Sequence, residues 1–241
     1  MREAWLESER LGADAVFTWD HFFPLYGGDP DGKHLESLAL QAAMAEATER
    51  AQIGALVMCN SYRNPRYLAA ALNTIDQISG GRLIVGIGSG WFERDYREYG
   101  YEFGTAGSRL RDLARSLPLF KERLRKLNPA PLGPMPILIG GSGEKVTLRI
   151  VAEHADLWHA FGDVERYRHK ARVLEEHCAA VGRDPSSIER VWGVPRDGDI
   201  PGTADALAGA GVTYMSMGVG GNGTGYDLGP VRELLRWRDK R

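Results

Sequence analysis

Apolar and polar positions along the chain fall into blocks that predict strands and helices in turn. Short apolar runs rich in valine and isoleucine predict seven strands, beginning near residues 15, 53, 83, 137, 155, 188 and 212. Stretches with apolar residues every three or four positions predict the intervening helices, as at Leu110, Leu113 and Leu117. Because strand and helix alternate throughout, we expect parallel strands joined by right-handed crossovers.

The nearest closed architecture for such a repeat is the TIM-type (β/α)8 barrel. The chain opens with a predicted helix, Arg2 to Leu11, where a first strand should already have passed. We therefore expect residues 1–241 to form one α/β barrel domain of this type that lacks its first β-strand. On this interpretation the domain is truncated at its N-terminus, and the parent sequence extends upstream of Met1.

Composition and charge narrow the class of protein. The 241 residues are 43% hydrophobic and 26% charged, with a formal net charge of −2, which does not favour nucleic acid or an anionic membrane as a partner. No apolar run approaches the roughly 20 residues of a membrane helix, and the charged N-terminus is unlike a signal peptide. We expect a cytoplasmic protein. Cys59 and Cys178 lie too far apart to indicate a disulfide framework or a metal knuckle.

Unusual residues follow five of the predicted strands. In a parallel barrel the loops after the strands meet at one mouth, so these residues are expected to converge there. They are Asp20 with His21, Asn60 to Arg63, Gly88 to Trp91, Gly140 to Gly143, and Trp158 with His159.

Two glycine-rich loops suit a flat, phosphorylated ligand. Missing β-carbons at Gly88-Ser89-Gly90 would let a planar ring lie against bare backbone beside Trp91, although a tight strand-to-helix turn needs the same glycines. Gly140-Gly141-Ser142-Gly143 leads into a helix predicted from Glu144, which would aim amide N–H groups and a helix dipole at a phosphate. A plain left-handed turn is the alternative.

His21 is the candidate catalytic residue, because a histidine can act as acid or base near neutral pH. The neighbouring Asp20 could accept a hydrogen bond from a ligand N–H, but a structural histidine at a strand end is the alternative. Asp20, His21, His34 and His159 could also suggest a metal-dependent hydrolase. No His-x-His pair and no further carboxylate at a strand end support that interpretation, so we predict no metal site.

Four strings together resemble a known family. They closely resemble luciferase-like oxidoreductases, and more narrowly the branch that depends on the deazaflavin coenzyme F420, from residue 1 to about residue 195. The strings are VFTWDHFFP (16–24), CNSYRNP (59–65), ISGGRLIVGIGSGWFERDYREYG (78–100) and PILIGGSGEKVTLRIVAEHAD (136–156).

The resemblance implies a TIM-type barrel that holds a deazaflavin across its mouth and passes a hydride to or from C5 of the ring. By position, Asp20 would hydrogen-bond the ring, and His21 would be the proton donor or electrostatic anchor at the reacting carbon. Leu56-Val57 would form a non-proline cis peptide under the ring. Gly88, Ser89, Gly90, Trp91 and Asn60 would line the cofactor, Gly140, Gly141, Ser142 and Gly143 would bind its phosphate, and Phe23, Trp158 and His159 would form the substrate pocket.

The sequence departs from the family pattern in three places. Members that oxidise sugar phosphates carry glutamate at the position of Trp91 and tryptophan at the position of Leu25, so a sugar phosphate is disfavoured. The segment between the long helix at 109–127 and the strand at 137 is short, although in relatives this region often covers the pocket. The family's first strand, which contributes to the pocket, is absent.

Three functions stay open at this point. The first is an F420-dependent oxidoreductase that acts on an unidentified organic substrate. The second is an FMN-dependent luciferase-like monooxygenase, and the third is a non-catalytic barrel that binds a flavin or deazaflavin. We expect a homodimer with a small-molecule substrate, whose identity depends on the variable loops 22–34 and 218–227.

Overall fold

The computed structural model describes residues 1–25, 29–221 and 225–241. The residues left out, 26–28 and 222–224, belong to the two loops predicted to set substrate specificity. The helices are α1 Arg2–Arg10, α2 Ser37–Ala47, α3 Pro65–Ser79, α4 Glu93–Tyr99, α5 Ala106–Leu124, α6 Thr147–His154, α7 Val164–Ala180, α8 Ile200–Gly209 and α9 Gly229–Arg238. The strands are β1 Ala15–Thr18, β2 Gln52–Ala55, β3 Met58–Cys59, β4 Leu83–Gly88, β5 Ile137–Gly140, β6 Leu157–Phe161, β7 Glu189–Gly193 and β8 Tyr214–Ser216.

The chain forms two compact units, residues 17–137 and residues 1–16 with 138–241. That residues 1–241 act as one domain stays a prediction, as does the truncation upstream of Met1. None of the helices in the described ranges is both long enough and apolar enough to cross a membrane.

All seven predicted strands are present, with shifted boundaries at a few places. The strand predicted over 53–59 is divided into β2 and β3 by a cis peptide between Leu56 and Val57, at the position that the resemblance implied. The helix predicted from Glu144 begins at Thr147, so that expectation was wrong by three residues. Helix α4 was not predicted, and α5 runs unbroken through Pro118.

The unit of residues 17–137 is built around β4, all six of whose residues are buried. Both β2 and β3 pair with β4 in parallel, with Ile53 opposite Leu83 and Met58 opposite Ile87. Helix α3 packs against α2 and α5. Arg82, just before β4, donates to the carbonyl oxygens of Ala45 and Thr48 at the end of α2, where a cation satisfies otherwise unpaired carbonyls.

In the other unit, β5 to β8 form a parallel sheet in chain order. Its core contains Trp158 and Trp192, which are fully buried and meet edge to face at 5.5 Å between ring centroids. Each indole N–H donates to a glycine carbonyl at 2.8 Å, Trp158 to Gly141 and Trp192 to Gly162. Buried indoles need such acceptors, so both glycine-containing loops are tied to the core.

Gly86 in β4 tests how closely neighbouring strands are packed. A β-carbon there would lie 1.8 Å from the carbonyl oxygen of Ala55, so we expect Gly86→Ala to lower the free energy of unfolding by about 2 kcal/mol or more. Gly209→Ala, in a helix with no atom within 4 Å of the added carbon, is the control and should raise it by about 0.5 kcal/mol. Urea denaturation measures both, and equal effects would contradict the packing argument.

Candidate functional site

His21 is held by a buried carboxylate that the sequence did not reveal. Its ring nitrogen Nδ1 lies 2.7 Å from Oδ2 of Asp95, a side chain with no exposed surface, whereas the side chain of His21 is 12% exposed. Asp95 lies in the first turn of α4. The same carboxylate accepts hydrogen bonds from the backbone N–H of Phe22 at 3.1 Å and from the hydroxyl of Tyr62 at 2.9 Å.

These contacts assign the protons of the His21 ring. Burial, with Cys59 and Asp95 close by, raises the pKa of Tyr62 above its ordinary value, so the hydroxyl keeps its proton and donates. A carboxylate that already accepts from Tyr62 and Phe22 has only acceptor capacity to offer His21. Nδ1 must therefore carry a hydrogen. Nε2, which makes no hydrogen bond among the described residues, is the nitrogen left for chemistry.

Asp20 is engaged inside the protein. Its carboxylate is 1% exposed and forms a two-pronged ion pair with Arg63, Nη1 to Oδ2 at 2.6 Å and Nη2 to Oδ1 at 2.9 Å. The backbone N–H of Cys59 donates to the same Oδ2, and Arg63 also pairs with Glu36. Although burial alone lowers the pKa of Arg63, its hydrogen bond to Asp20 raises it. The carboxylate predicted to bind a ring thus joins β1, β3 and α2.

The Gly88–Trp91 segment lies where β4 ends, and the structure gives one of its glycines a packing role. Gly90 has φ +81°, and a β-carbon there would lie 2.0 Å from the hydroxyl oxygen of Tyr96 and 2.5 Å from Sγ of Cys59. The carbonyl oxygen of Gly90 accepts from Nε of Arg109 at 3.1 Å. The missing β-carbon of Gly90 therefore admits protein atoms, where the sequence suggested room for a ligand.

Aromatic rings surround the His21 side chain. Trp19, Trp91 and Phe92 each meet it edge on, with ring centroids 6.3, 5.8 and 5.6 Å away. Trp91 is 57% exposed and Trp19 is 39% exposed, so the approach to the imidazole has an apolar border. Phe23 lies at the edge of this group, half-buried, with the guanidinium of Arg94 3.8 Å from its ring centroid.

Asn60 follows β3 in a short 3-10 turn and is buried. It lines a cavity of about 280 Å³ together with Ser61, Phe103 and Arg109. The cavity lies on the side of Gly90 where Arg109 binds the carbonyl oxygen, and Arg109 also donates to the carbonyl of Phe103. The residue before Asn60, Cys59, pairs with Gly88 at the end of β4, and the cofactor-binding role of Asn60 stays a prediction.

The Gly140–Gly143 loop lies in the other unit and offers several unpaired donors. Its Gly141 N–H is bonded to the carbonyl of His159. Within the described residues, the backbone N–H groups of Ser142, Gly143 and Glu144 have no acceptor. The Ser142 hydroxyl accepts from Nη2 of Arg166 at 3.2 Å. This donor set suits an anion.

Trp158 and His159 lie inside β6, in the same unit as that loop, and not after the end of a strand. Trp158 is fully buried, and His159, 2% exposed, has Nε2 2.9 Å from the hydroxyl oxygen of Ser216. Burial lowers the pKa of His159 to about 4. Both side chains are therefore core groups in their unit, and their predicted place in a substrate pocket has no exposed atoms to support it.

The unit of residues 17–137 contains Asp20, His21, Phe23, Leu56-Val57, Asn60 and the Gly88–Trp91 segment, whereas Gly140 to Gly143, Trp158 and His159 belong to the other unit. Sequence reasoning missed Asp95, Tyr62 and Arg63 as partners of the site. Asp95 stands in the string ERDYRE, where it resembles an ordinary surface acid on a charged helix.

Solved structures share this fold. An F420-dependent secondary alcohol dehydrogenase matches with a TM-score of 0.73 at 18% identity, over 99% of this chain and 85% of that one. A coenzyme F420-dependent tetrahydromethanopterin reductase from Methanopyrus kandleri matches with a TM-score of 0.74 at 14% identity, over 99% and 94%. These likenesses confirm the predicted fold class, the TIM-type α/β barrel of luciferase-like proteins.

The family follows from sequence. Residues 1–195 match the family model for luciferase-like monooxygenases, so the chain belongs to that family. Curated relatives include the F420-dependent glucose-6-phosphate dehydrogenases of Amycolatopsis mediterranei, 35% identical over 48% of this chain, and of Rhodococcus erythropolis, 32% identical over 76%. The matches span 35% and 60% of those relatives, so this chain covers less than two thirds of each.

Loss of the Asp20–Arg63 ion pair should lower stability strongly, and a second substitution should recover part of the loss. Arg63→Met leaves a buried carboxylate without its cation and should lower the free energy of unfolding by about 3 kcal/mol. Adding Asp20→Asn removes the charge and should recover part of the loss. Arg97→Met, which breaks an exposed pair with Glu98, is the control and should change stability by less than about 0.5 kcal/mol. A double variant no more stable than Arg63→Met would contradict the electrostatic explanation.

His159 predicts a pH dependence of stability. Its pKa is about 4 in the folded protein against an ordinary 6.5, so the unfolded chain binds the proton more tightly. The free energy of unfolding should therefore fall as pH drops from 6.5 to 4, by about 1.4 kcal/mol per pH unit from this group. His159→Gln should flatten the profile by that slope. Denaturation curves at several pH values compare the wild type with the variant, and parallel profiles would refute the assignment.

Proposed function

We propose that this protein is an oxidoreductase that uses coenzyme F420 and transfers a hydride between the cofactor and an organic substrate. The observation that carries the proposal is the Asp95–His21 pair, which keeps one imidazole nitrogen free beside exposed aromatic rings. Family membership and the F420-dependent curated relatives support the choice of cofactor.

The residues present fit a phosphorylated deazaflavin. Trp91 offers an exposed planar surface at the end of β4, next to His21. The N–H groups of Ser142, Gly143 and Glu144, which have no acceptor in the described part of the chain, suit a phosphate. We keep Gly88, Ser89, Gly90 and Asn60 as cofactor-binding residues, and Leu56-Val57 as the cis peptide beneath the ring. Asp20 we assign a positioning role, because its carboxylate is already occupied by Arg63 and Cys59.

When bound, coenzyme F420 supplies a ring carbon that accepts or gives a hydride. Oxidation of a substrate also releases a proton, and His21 Nε2 would take that proton while Asp95 stabilises the imidazolium that forms. In the reverse direction the same nitrogen would return it. The aromatic rings of Trp19, Trp91 and Phe92 limit the access of water to the imidazole.

The substrate of the curated relatives does not carry over to this chain. Their names give glucose 6-phosphate. The resemblance implies a glutamate in members that oxidise sugar phosphates at the position where this chain has Trp91. An exposed indole at that place favours a substrate without a charged group near His21. We therefore propose an uncharged organic substrate and include glucose 6-phosphate as a negative control.

Cofactor binding is the first test. Absorbance or fluorescence titration of the folded protein with coenzyme F420, FMN and NADPH should show selective binding of F420. Exclusive binding of FMN would favour a monooxygenase of this family, and the absence of binding by any of them, with a native circular dichroism spectrum, would overturn the proposal. A panel of alcohols with glucose 6-phosphate as control then searches for turnover.

The proton assignment of His21 predicts the effect of Asp95→Asn. The carboxamide can donate to Nδ1, which reverses the tautomer, so long-range ¹H–¹⁵N spectra should show the hydrogen moving from Nδ1 to Nε2. Hydride transfer should slow by about 10² or more, because acid–base groups typically contribute ~10² to 10⁴, while F420 affinity stays within a factor of about two. Asp31→Asn, in an exposed pair with Arg94, is the matched control. An unchanged tautomer in Asp95→Asn would disprove the assignment.

A further inference from the structure

Arg166 is a cation without an anionic partner at the Gly140–Gly143 loop. Its Nη2 donates to the Ser142 hydroxyl oxygen at 3.2 Å, and no carboxylate of the described residues lies within ion-pair distance of its guanidinium. Two neighbouring cations on the same helix are paired, Arg168 with Glu165 and Lys170 with Glu144. The neighbouring Asp163 uses Oδ1 to accept the backbone N–H of Arg166.

The direction of the Arg166 side chain is fixed by packing. Gly162 has φ +137°, and a β-carbon there would lie 2.4 Å from Cδ of Arg166, so the stem of the arginine covers the space that glycine leaves open. The carbonyl of Gly162 is bonded to the buried Trp192 indole, and the carbonyl of Gly141 to the buried Trp158 indole. The surface beneath the arginine and the loop it reaches are thus both tied to the core.

The loop that the guanidinium contacts offers further hydrogen-bond donors. The N–H groups of Ser142, Gly143 and Glu144 are unpaired, and the Ser142 hydroxyl, which accepts from Arg166, still has its own hydrogen to donate. A guanidinium with free N–H groups matches the geometry of a phosphate, which can accept two hydrogen bonds from it. A phosphate carries the charge and the several acceptor oxygens that match this set of donors.

We propose that Arg166 binds the cofactor phosphate and selects the phosphorylated deazaflavin over the same ring system without its phosphate. This inference rests on the proposed function, because it takes the deazaflavin as the ligand. The inference adds Arg166 of α7 to the phosphate site predicted at Gly140–Gly143. It assigns the charge of Arg166 a role in cofactor specificity.

The test compares two ligands that differ only in the phosphate, the riboflavin-type deazaflavin chromophore and its 5′-phosphate. Arg166→Met should weaken binding of the 5′-phosphate by about tenfold or more and leave binding of the chromophore within about twofold. Arg168→Met, on the same helix, should change neither. Because Arg166 is exposed, the variants are expected to fold, and circular dichroism and thermal melting verify this.

A second readout is the salt dependence of binding. The affinity of the wild type for the 5′-phosphate should fall more steeply with salt than that of Arg166→Met, since one charge pair is lost. Arg166→Lys keeps the positive charge but loses the paired N–H donors of the guanidinium. The salt dependence of its binding should lie between that of the wild type and that of Arg166→Met.

Each other outcome overturns the inference. Equal losses for both ligands would make Arg166 a structural residue, and no loss for either would remove it from the site. Complete coenzyme F420 carries further acidic groups beyond the phosphate. If Arg166→Met weakened only the binding of complete F420, Arg166 would be assigned to those groups. If the folded wild type binds neither ligand nor F420, the proposed function fails as well, which the wild-type titration distinguishes before any variant is made.

Discussion

The carboxylate of Asp95 has no access to solvent, and this constraint organises the site in residues 17–137. A buried carboxylate costs several kcal/mol unless donors replace its water. Here the donors are the His21 ring, the Tyr62 hydroxyl and the Phe22 backbone. The hydrogen bonds to Asp95 therefore fix the positions of the His21 ring, the Tyr62 side chain and the backbone after β1. They also leave Nε2 as the ring nitrogen of His21 that does not contact Asp95.

The buried carboxylate of Asp20 is stabilised in a different way from that of Asp95. It receives a full cation in Arg63, together with the Cys59 N–H, and so has little left to offer a ligand. Asp95 receives no lysine or arginine among the described residues, which leaves its negative charge to act on His21. The carboxylate beside His21 is thus separate from the carboxylate that ties β1 to β3, although their partners Tyr62 and Arg63 are consecutive residues.

Hydrophobic period and glycine placement are local signals, and they predicted the alternation of strands with helices and four of the five groups of residues at strand ends. The family came from the resemblance of four strings. The sequence could not predict the partners of those residues. Asp95 is 74 positions after His21, and nothing in the string ERDYRE separates a buried acid from its exposed neighbours. At Gly90 the sequence suggested room for a flat ligand, and it could not show that Tyr96 and Cys59 supply the atoms nearest to the missing β-carbon. Such pairings arise from tertiary packing, which no short segment encodes.

The two histidines at predicted strand ends show why burial decides which can act. His159 is enclosed in β6 with a pKa lowered to about 4, so near neutral pH it holds no exchangeable charge and serves Ser216 as a hydrogen-bond partner. His21 keeps part of its ring exposed and has a carboxylate to balance an imidazolium. The two rings therefore differ in the one feature that a charged imidazole needs inside a protein, a carboxylate within hydrogen-bond distance. His21 has that carboxylate in Asp95, whereas the described partner of His159 Nε2 is the hydroxyl of Ser216.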